Sequence, residues 1–505
     1  MRSRSALLSI LCIIALLVAL LSCGGKMPTS DWPDTMAGRW MRDFMAAVND
    51  EDDAAMRRFI LDHYSDQYLA ETPIEELLAR LLAMKREMPP IEAGSVASTG
   101  EYSVSMVVHH LLFGVFFKLT LELAPEPPHD AKPFQEELIE ASGGEPSLEI
   151  GEWETLEELI AQVREGTGAP ALAVAVVRGD EVIDRAIVGS RRVDVDEPAT
   201  IEDRFHIGSV TKSFTSMMIA VLVERGKLKW EMTIGEVLAD LPMREEYRAV
   251  TLEQLVQHRG GLQPFPTGGE FADARTLPSR PPQEGRLALV KQVLQDEPIA
   301  EPGTSMNYSN AGYVVATTMA ERVTGASWEV LIKSLVFEPL GLESAQLGWP
   351  ATAEAPHQPW GHSGAPPDLQ PHEPGTLFNF DLTTYLAPSG DVNCNITDLA
   401  EYASAHLQGL RGADGALSSA SIVRLHTPPE LDEAGAGYAA GWAIARTESG
   451  RPEHWHSGSG GSFFAVVSIY PEDDLAIVVL TNYGLPAEAS LYQMMQAIYE
   501  RLANT

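Results

Sequence analysis

The chain has 505 residues, long for one domain and suited to two or three. Its hydrophobic content of 45% is ordinary for a globular protein and sufficient for a sizeable core. A net charge of −35 repels nucleic acid and anionic lipid surfaces, which excludes nucleic acid as a partner class and is otherwise accounted for by solubility.

The N-terminus reads as an export signal. Arg2 and Arg4 precede an apolar run from Leu7 to Leu21, the right length for a signal core and short for a membrane span. The run ends Leu20-Leu21-Ser22-Cys23-Gly24, which resembles the bacterial lipobox. That resemblance implies a signal peptide over 1–22, lipid on Cys23 and a tether over 23–34. The other reading is an uncleaved anchor with an incidental cysteine. Either one implies an extracytoplasmic space for the remaining chain, and the lipobox resemblance implies a membrane-anchored lipoprotein of the bacterial cell envelope, facing the periplasm or exterior. Only Cys12, Cys23 and Cys394 are present, too few for a disulfide framework. No C-x-x-C or H-E-x-x-H spacing occurs, so no metal site is predicted.

Residues 35–123 carry helical patterning over 36–48, 54–64 and 73–86. Strand-like runs follow at 91–98, 102–109 and 115–123. Helices followed by a sheet predict a small α+β domain, and the order resembles SnoaL-like cone domains. The stretch 124–152 holds Pro125, Pro127, Pro128, Pro133 and Pro146 among several acids, and it reads as a linker with room for a short helix.

From residue 153 the pattern changes. An amphipathic helix is predicted over 154–165, then a hairpin in which 172–178 and 182–189 flank Gly179-Asp180-Glu181. A mostly helical section runs from Ser209 to about Leu410. Strands return at 441–446, 462–470 and 475–481, and a helix closes the chain over 487–502. Early and late strands around a helical middle predict one sheet built from both ends of a domain spanning 153–505, with the helical region as an insertion.

Ser209-Val210-Thr211-Lys212 is the only S-x-x-K in the sequence. Three residues apart on a helix, serine and lysine share a face. The serine sits at the start of a buried helical run (Phe214 to Val223), where backbone N–H groups and the helix dipole favour negative charge. A neutral lysine there can take the serine proton, and a charged one can stabilise an oxyanion. The same four residues also fit a helix cap followed by a surface lysine. Tyr308-Ser309-Asn310 is the only Y-x-N among thirteen tyrosines. A tyrosine near a lysine can serve as a base, and an asparagine amide can hold a substrate carbonyl. His456-Ser457-Gly458-Ser459-Gly460-Gly461 precedes the predicted strand 462–470, where glycines let a substrate backbone approach and the Ser459 N–H can pair with that of Ser209. Leu255 to Leu262, with His258, reads as a structural wall of the cleft.

In this order and spacing the motifs resemble the serine β-lactamase and penicillin-binding-protein superfamily, on the class C side. Supporting stretches are 302–313 (PGTSMNYSNAGY) and 337–349 (FEPLGLESAQLGW). The resemblance covers about 350 residues. It implies an α/β (α+β) transpeptidase-like fold, with an antiparallel sheet flanked by helices. It also implies a catalytic set of Ser209, Lys212, Tyr308 and His456, with Asn310, Gly458 and Ser459 at the substrate and oxyanion positions. No metal or organic cofactor is implied. His456 departs from the pattern, since typical β-lactamases place lysine there. The implied function is a serine hydrolase acting through an acyl-enzyme on a D-amino-acid peptide or carboxylic ester. β-Lactam hydrolysis is an alternative, and an inactive envelope lipoprotein that binds peptide or glycan is an alternative of another class. The partner is a small-molecule or peptide substrate. Which of Lys212 and Tyr308 is the base stays open at this stage, as does the oligomeric state.

Overall fold

The computed structural model describes residues 33–503 apart from 82–90, 111–114, 124–134, 140–147, 265–280, 374–384 and gaps of one to three residues. The predicted leader and Cys23 lie outside the described residues. Two compact units divide the chain, Met1–Ser147 and Leu148–Thr505.

In the first unit, helices Met36–Asn49 and Asp53–His63 bury Trp40, Met41, Phe44, Met56, Phe59 and Ile60 in one cluster, as their one-turn spacing requires. A four-stranded antiparallel sheet follows in the order Ile91–Gly100, Ser103–His110, Val115–Glu122, Gln135–Ile139. The last strand corrects the reading of 124–152 as a linker. Its proline cluster ends at Pro133, and the next residues pair with Phe116–Thr120, whose backbone would otherwise be a bare edge.

The second unit is built on a seven-stranded antiparallel sheet. Its order is Gly437–Tyr438, Ala443–Arg446, Pro452–Ser459, Phe464–Tyr470, Leu475–Thr481, Ala171–Arg178, Glu181–Gly189. The early hairpin thus joins the late strands in one sheet, as expected. Phe464–Tyr470 and Leu475–Thr481 are buried along their whole length, which is why both read as continuous apolar runs. One face packs on helices Leu156–Thr167 and Glu488–Ala503 through Leu159, Ile160, Met494 and Ile498. The first of these helices opens on a Thr155–Glu158 capping box and closes on left-handed Gly168. The other face packs on Thr211–Glu224 and Ile396–Leu410 through Phe214, Met218, Leu399 and Ala403.

Two local differences bear on the site. His456–Ser459 do not form a turn before a strand. They end a strand of their own, Pro452–Ser459, and the turn is Gly460–Phe463. Only Pro452–Trp455 pair with Ala443–Arg446, so His456–Ser459 run past the end of the neighbouring strand. A small sheet of Phe205–His206, Val392–Cys394 and Gln346–Leu347, absent from the sequence reading, also leads the chain into Gly208.

A chain of three histidines crosses the core beside the sheet. His406 Nδ1 lies 2.8 Å from His426 Nε2, and His426 Nδ1 lies 3.1 Å from His454 Nδ1. Burial pushes His406 down to about 3 and His454 to about 4, and holds His426 well below its ordinary value. These folded-state values lie below the unfolded one, so the unfolded chain binds more protons in between. The associated stability is complete above about pH 6.5 and drains as pH falls toward 4. Denaturant unfolding at pH 7.5 and 5 should show a flatter pH dependence in His406→Leu, by up to about 1.4 kcal/mol per pH unit. An identical slope in the variant would dismiss the histidine chain as its source.

Candidate active site

Ser209 lies in a 3-10 segment, Gly208–Val210, running directly into helix Thr211–Glu224. That helix is almost wholly buried, which carries Lys212 into the core at 0% exposure while Ser209 stays half-buried at its mouth. Lys212 Nζ is 2.9 Å from Ser209 Oγ and donates at 2.7 Å to the carbonyl of Ser389. The ring centroids of Tyr308 and Tyr313 lie 4.8 and 5.8 Å from Nζ. Those rings favour the ammonium by an amount that is small beside the cost of a dry, unpaired charge. Burial therefore holds the Lys212 amine well below its ordinary value.

The Tyr308 phenol lies close enough to Ser209 to be influenced by it, so the serine stands near both candidate bases. Desolvation pushes the phenol up, and the neighbouring Ser209 hydroxyl offsets this only in part. The residue as a whole is 39% exposed, so this desolvation belongs to the enclosed hydroxyl end and not to the outer ring. The shifts of the two groups point opposite ways: burial makes the lysine easier to deprotonate than usual and the tyrosine harder.

Gly208 and Gly458 bring two backbones together. Gly208 takes φ +49°, and a Cβ there would stand 2.5 Å from Ser459 N. A Cβ on Gly458 would stand 2.1 Å from Ile207 O and 2.5 Å from Ser209 N. The Ser209 and Ser459 amides therefore belong to segments in direct contact, which only glycines allow. Asn310 opens helix Asn310–Thr324, its N–H donating to Pro264 O at 2.8 Å, with Ser309 as the N-cap.

His456 is 5% exposed and both ring nitrogens are engaged. Nδ1 lies 2.5 Å from Ser457 O, and Nε2 lies 2.9 Å from Tyr438 Oη. A carbonyl only accepts, so Nδ1 carries the hydrogen and Nε2 accepts from the tyrosine. Burial first, and then the nearby Lys212, push this histidine down to about 3, so it is neutral at pH 7. It meets the rest of the site through Tyr438 and makes no bond of its own to Ser209.

Sequence reasoning missed Tyr438, whose only signal is a glycine-rich run ahead of Trp442. It also missed the Ser389 carbonyl, because a backbone acceptor has no residue signature. His258 takes the structural part read for it. At φ +57° its Nδ1 accepts from Ser309 N at 3.1 Å and its carbonyl accepts from Asn307 N at 2.7 Å. This pins the loop carrying Tyr308, whose ring lies 4.2 Å away. Cys394 is 1% exposed and burial pushes its thiol up, the opposite of an activated nucleophile.

A family model described as Beta-lactamase matches residues 156–496. Penicillin-binding protein 4 of Amycolatopsis lactamdurans is 26% identical over 298 residues, covering 57% of this chain and 74% of its own length. Unguisins hydrolase ungD' of Aspergillus campestris is 24% identical over 343 residues, covering 64% of this chain and 60% of its own length. Among solved structures, an octameric penicillin-binding protein homologue from Pyrococcus abyssi aligns with a TM-score of 0.57 at 25% identity, over 68% of this chain and 76% of its own. A class C beta lactamase from Rhodobacter sphaeroides aligns with a TM-score of 0.53 at 20% identity, over 67% of this chain and 97% of its own, a likeness of fold alone.

Proposed function

The chain belongs to the beta-lactamase family, and from that premise we propose that it is a serine hydrolase working through a covalent acyl-enzyme on Ser209. The observation that carries the proposal is the dry Lys212 amine 2.9 Å from Ser209 Oγ. Relatives named as a penicillin-binding protein and as an unguisins hydrolase support acyl transfer as the reaction class.

Neutral Lys212 takes the Ser209 hydroxyl proton as Oγ bonds to the substrate carbonyl carbon. The Ser209 and Ser459 N–H groups receive the oxyanion, and Asn310 holds a separate, unreacting carbonyl of the substrate. Collapse breaks the bond to the leaving amine or alkoxide, which takes a proton passed from Lys212 through Tyr308. A water then gives a proton back to this pair, attacks the acyl-enzyme carbonyl, and restores the Ser209 hydroxyl as the acid departs. Lys212 is the base in this scheme, and Tyr308, which holds its proton, is the relay.

His456 bears on the substrate class. A neutral imidazole with both nitrogens engaged offers no permanent cation to a substrate carboxylate. Uncharged esters, and D-amino-acid peptides that carry no free carboxylate at the binding end, are therefore the proposed substrates, ahead of β-lactams. Steady-state kinetics on a nitrophenyl ester, a D-alanyl peptide and a chromogenic cephalosporin test this. The ester or peptide should give the higher kcat/KM, and His456→Lys should raise the cephalosporin relative to the ester by about tenfold, the worth of one charge-assisted bond. Efficient cephalosporin turnover by the unmodified protein, with negligible ester and peptide turnover, would overturn the assignment.

A further inference from the structure

No step above uses His206, yet its ring touches both arms of the oxyanion site. The imidazole is 1% exposed and stacks on Trp349 with centroids 4.8 Å apart. Gly208 N donates to its Nδ1 at 3.2 Å. A backbone N–H cannot accept, so Nδ1 is unprotonated and the neutral ring carries its hydrogen on Nε2. Nε2 lies 3.7 Å from Asp391 Oδ1, and both side chains are buried. On its other side the ring presses on Gly460, where a Cβ would stand 2.5 Å from Nδ1. One imidazole thus abuts the residue before Ser209 and the residue after Ser459.

Asp391 links this ring to the base. It lies two residues after Ser389, whose carbonyl holds Lys212, and one before Val392, whose carbonyl accepts from Ile207 N at 3.0 Å. A buried carboxylate facing Nε2 favours the tautomer with hydrogen on that nitrogen, and this tautomer alone leaves Nδ1 free to accept from Gly208.

We propose that His206, oriented by Asp391, is a positioning residue that pins the Gly208 peptide and so fixes the direction of the Ser209 N–H in the oxyanion hole. The inference rests on the acyl-enzyme reading and goes beyond it. The first N–H groups of a helix lack intrahelical partners, and a glycine with φ +49° has no side chain to restrain its peptide. An external acceptor is what stops this turn from rocking. Oxyanion stabilisation depends on donors already aimed where charge develops, so restraint on the turn converts directly into rate.

The test compares wild type, His206→Leu, His206→Asn and Asp391→Asn by single-turnover acylation with a nitrophenyl ester. Binding of an aryl boronic acid, a tetrahedral oxyanion mimic, is measured alongside. Asparagine places its Oδ1 close to the position of Nδ1 and can accept from Gly208. His206→Leu should lower the acylation rate about 100-fold, keep KM within about threefold, and weaken boronate binding in parallel. His206→Asn should recover to within about tenfold of wild type. Equal losses in the Leu and Asn variants, or losses confined to KM, would show a merely structural part and overturn the proposal. If His206→Leu does not fold, Asp391→Asn decides. It keeps the ring but removes the charge, with an expected loss of about tenfold in rate at unchanged KM; an unchanged rate overturns the proposal. If the wild type acylates on Ser209 and His206→Leu matches it, this inference alone falls; if the wild type does not acylate there, the acyl-enzyme reading falls and takes this inference with it.

Discussion

Ser209→Ala is expected to abolish covalent labelling and lower turnover by about 10,000-fold or more, with the folded state intact. Ser209 sits half-buried at the mouth of a buried helix, and its Oγ lies 2.9 Å from the Lys212 amine. Removing one half-buried hydroxyl leaves no cavity of consequence, so the change in Tm should be small beside the change in rate. Lys212 loses one hydrogen-bond partner and keeps the Ser389 carbonyl. Residual activity would come from the two backbone donors and from substrate binding, which do not need the serine oxygen. Labelling by a fluorophosphonate at the wild-type rate in this variant would refute the assignment.

Lys212→Ala and Tyr308→Phe are each expected to slow acylation by about 100- to 10,000-fold, and the double variant should lose far less than the product of the two. In the proposed mechanism the two groups handle the same proton. Lys212, held well below its ordinary value by burial, receives it, and Tyr308, pushed up, passes it to the leaving group. Removing either breaks the circuit, so removing the second costs little more. The pH profile carries the same information. Protonated Lys212 cannot act as a base, so acylation rises with pH through the Lys212 titration and levels off well below the lysine value of 10.5. Multiplicative losses in the double variant, measured by single-turnover kinetics, would mean that the two residues work in separate steps.

Much of this was legible in the sequence because the signals were local. Ser209 and Lys212 are one helical turn apart, and any helix brings them to one face. The early hairpin and late strands announce themselves by β-branched runs between turn residues, and they pair as expected. Residues that act through long-range packing were illegible. Tyr438 meets His456 only because Gly437–Tyr438 and Pro452–Ser459 flank the same strand. His206 reaches Asp391 across 185 positions of chain, from a two-residue strand to the residue just before the neighbouring strand Val392–Cys394, in a sheet too short to leave a periodic signature. The strand Gln135–Ile139 was hidden by the prolines before it, which mark a linker in composition although the pairing begins just after them. The neutrality of His456 follows from burial and the nearby Lys212, and its Nε2 is taken up by Tyr438, none of which a motif reports.

The most direct test of the account is peptide mapping of the acyl adduct trapped at neutral pH. Wild-type protein quenched during turnover of a nitrophenyl ester, then digested with trypsin, should carry one acyl mass on the peptide from Phe205 to Lys212, with fragmentation placing it on Ser209. Turnover with no adduct, or an adduct on any other residue that persists in Ser209→Ala, would contradict it.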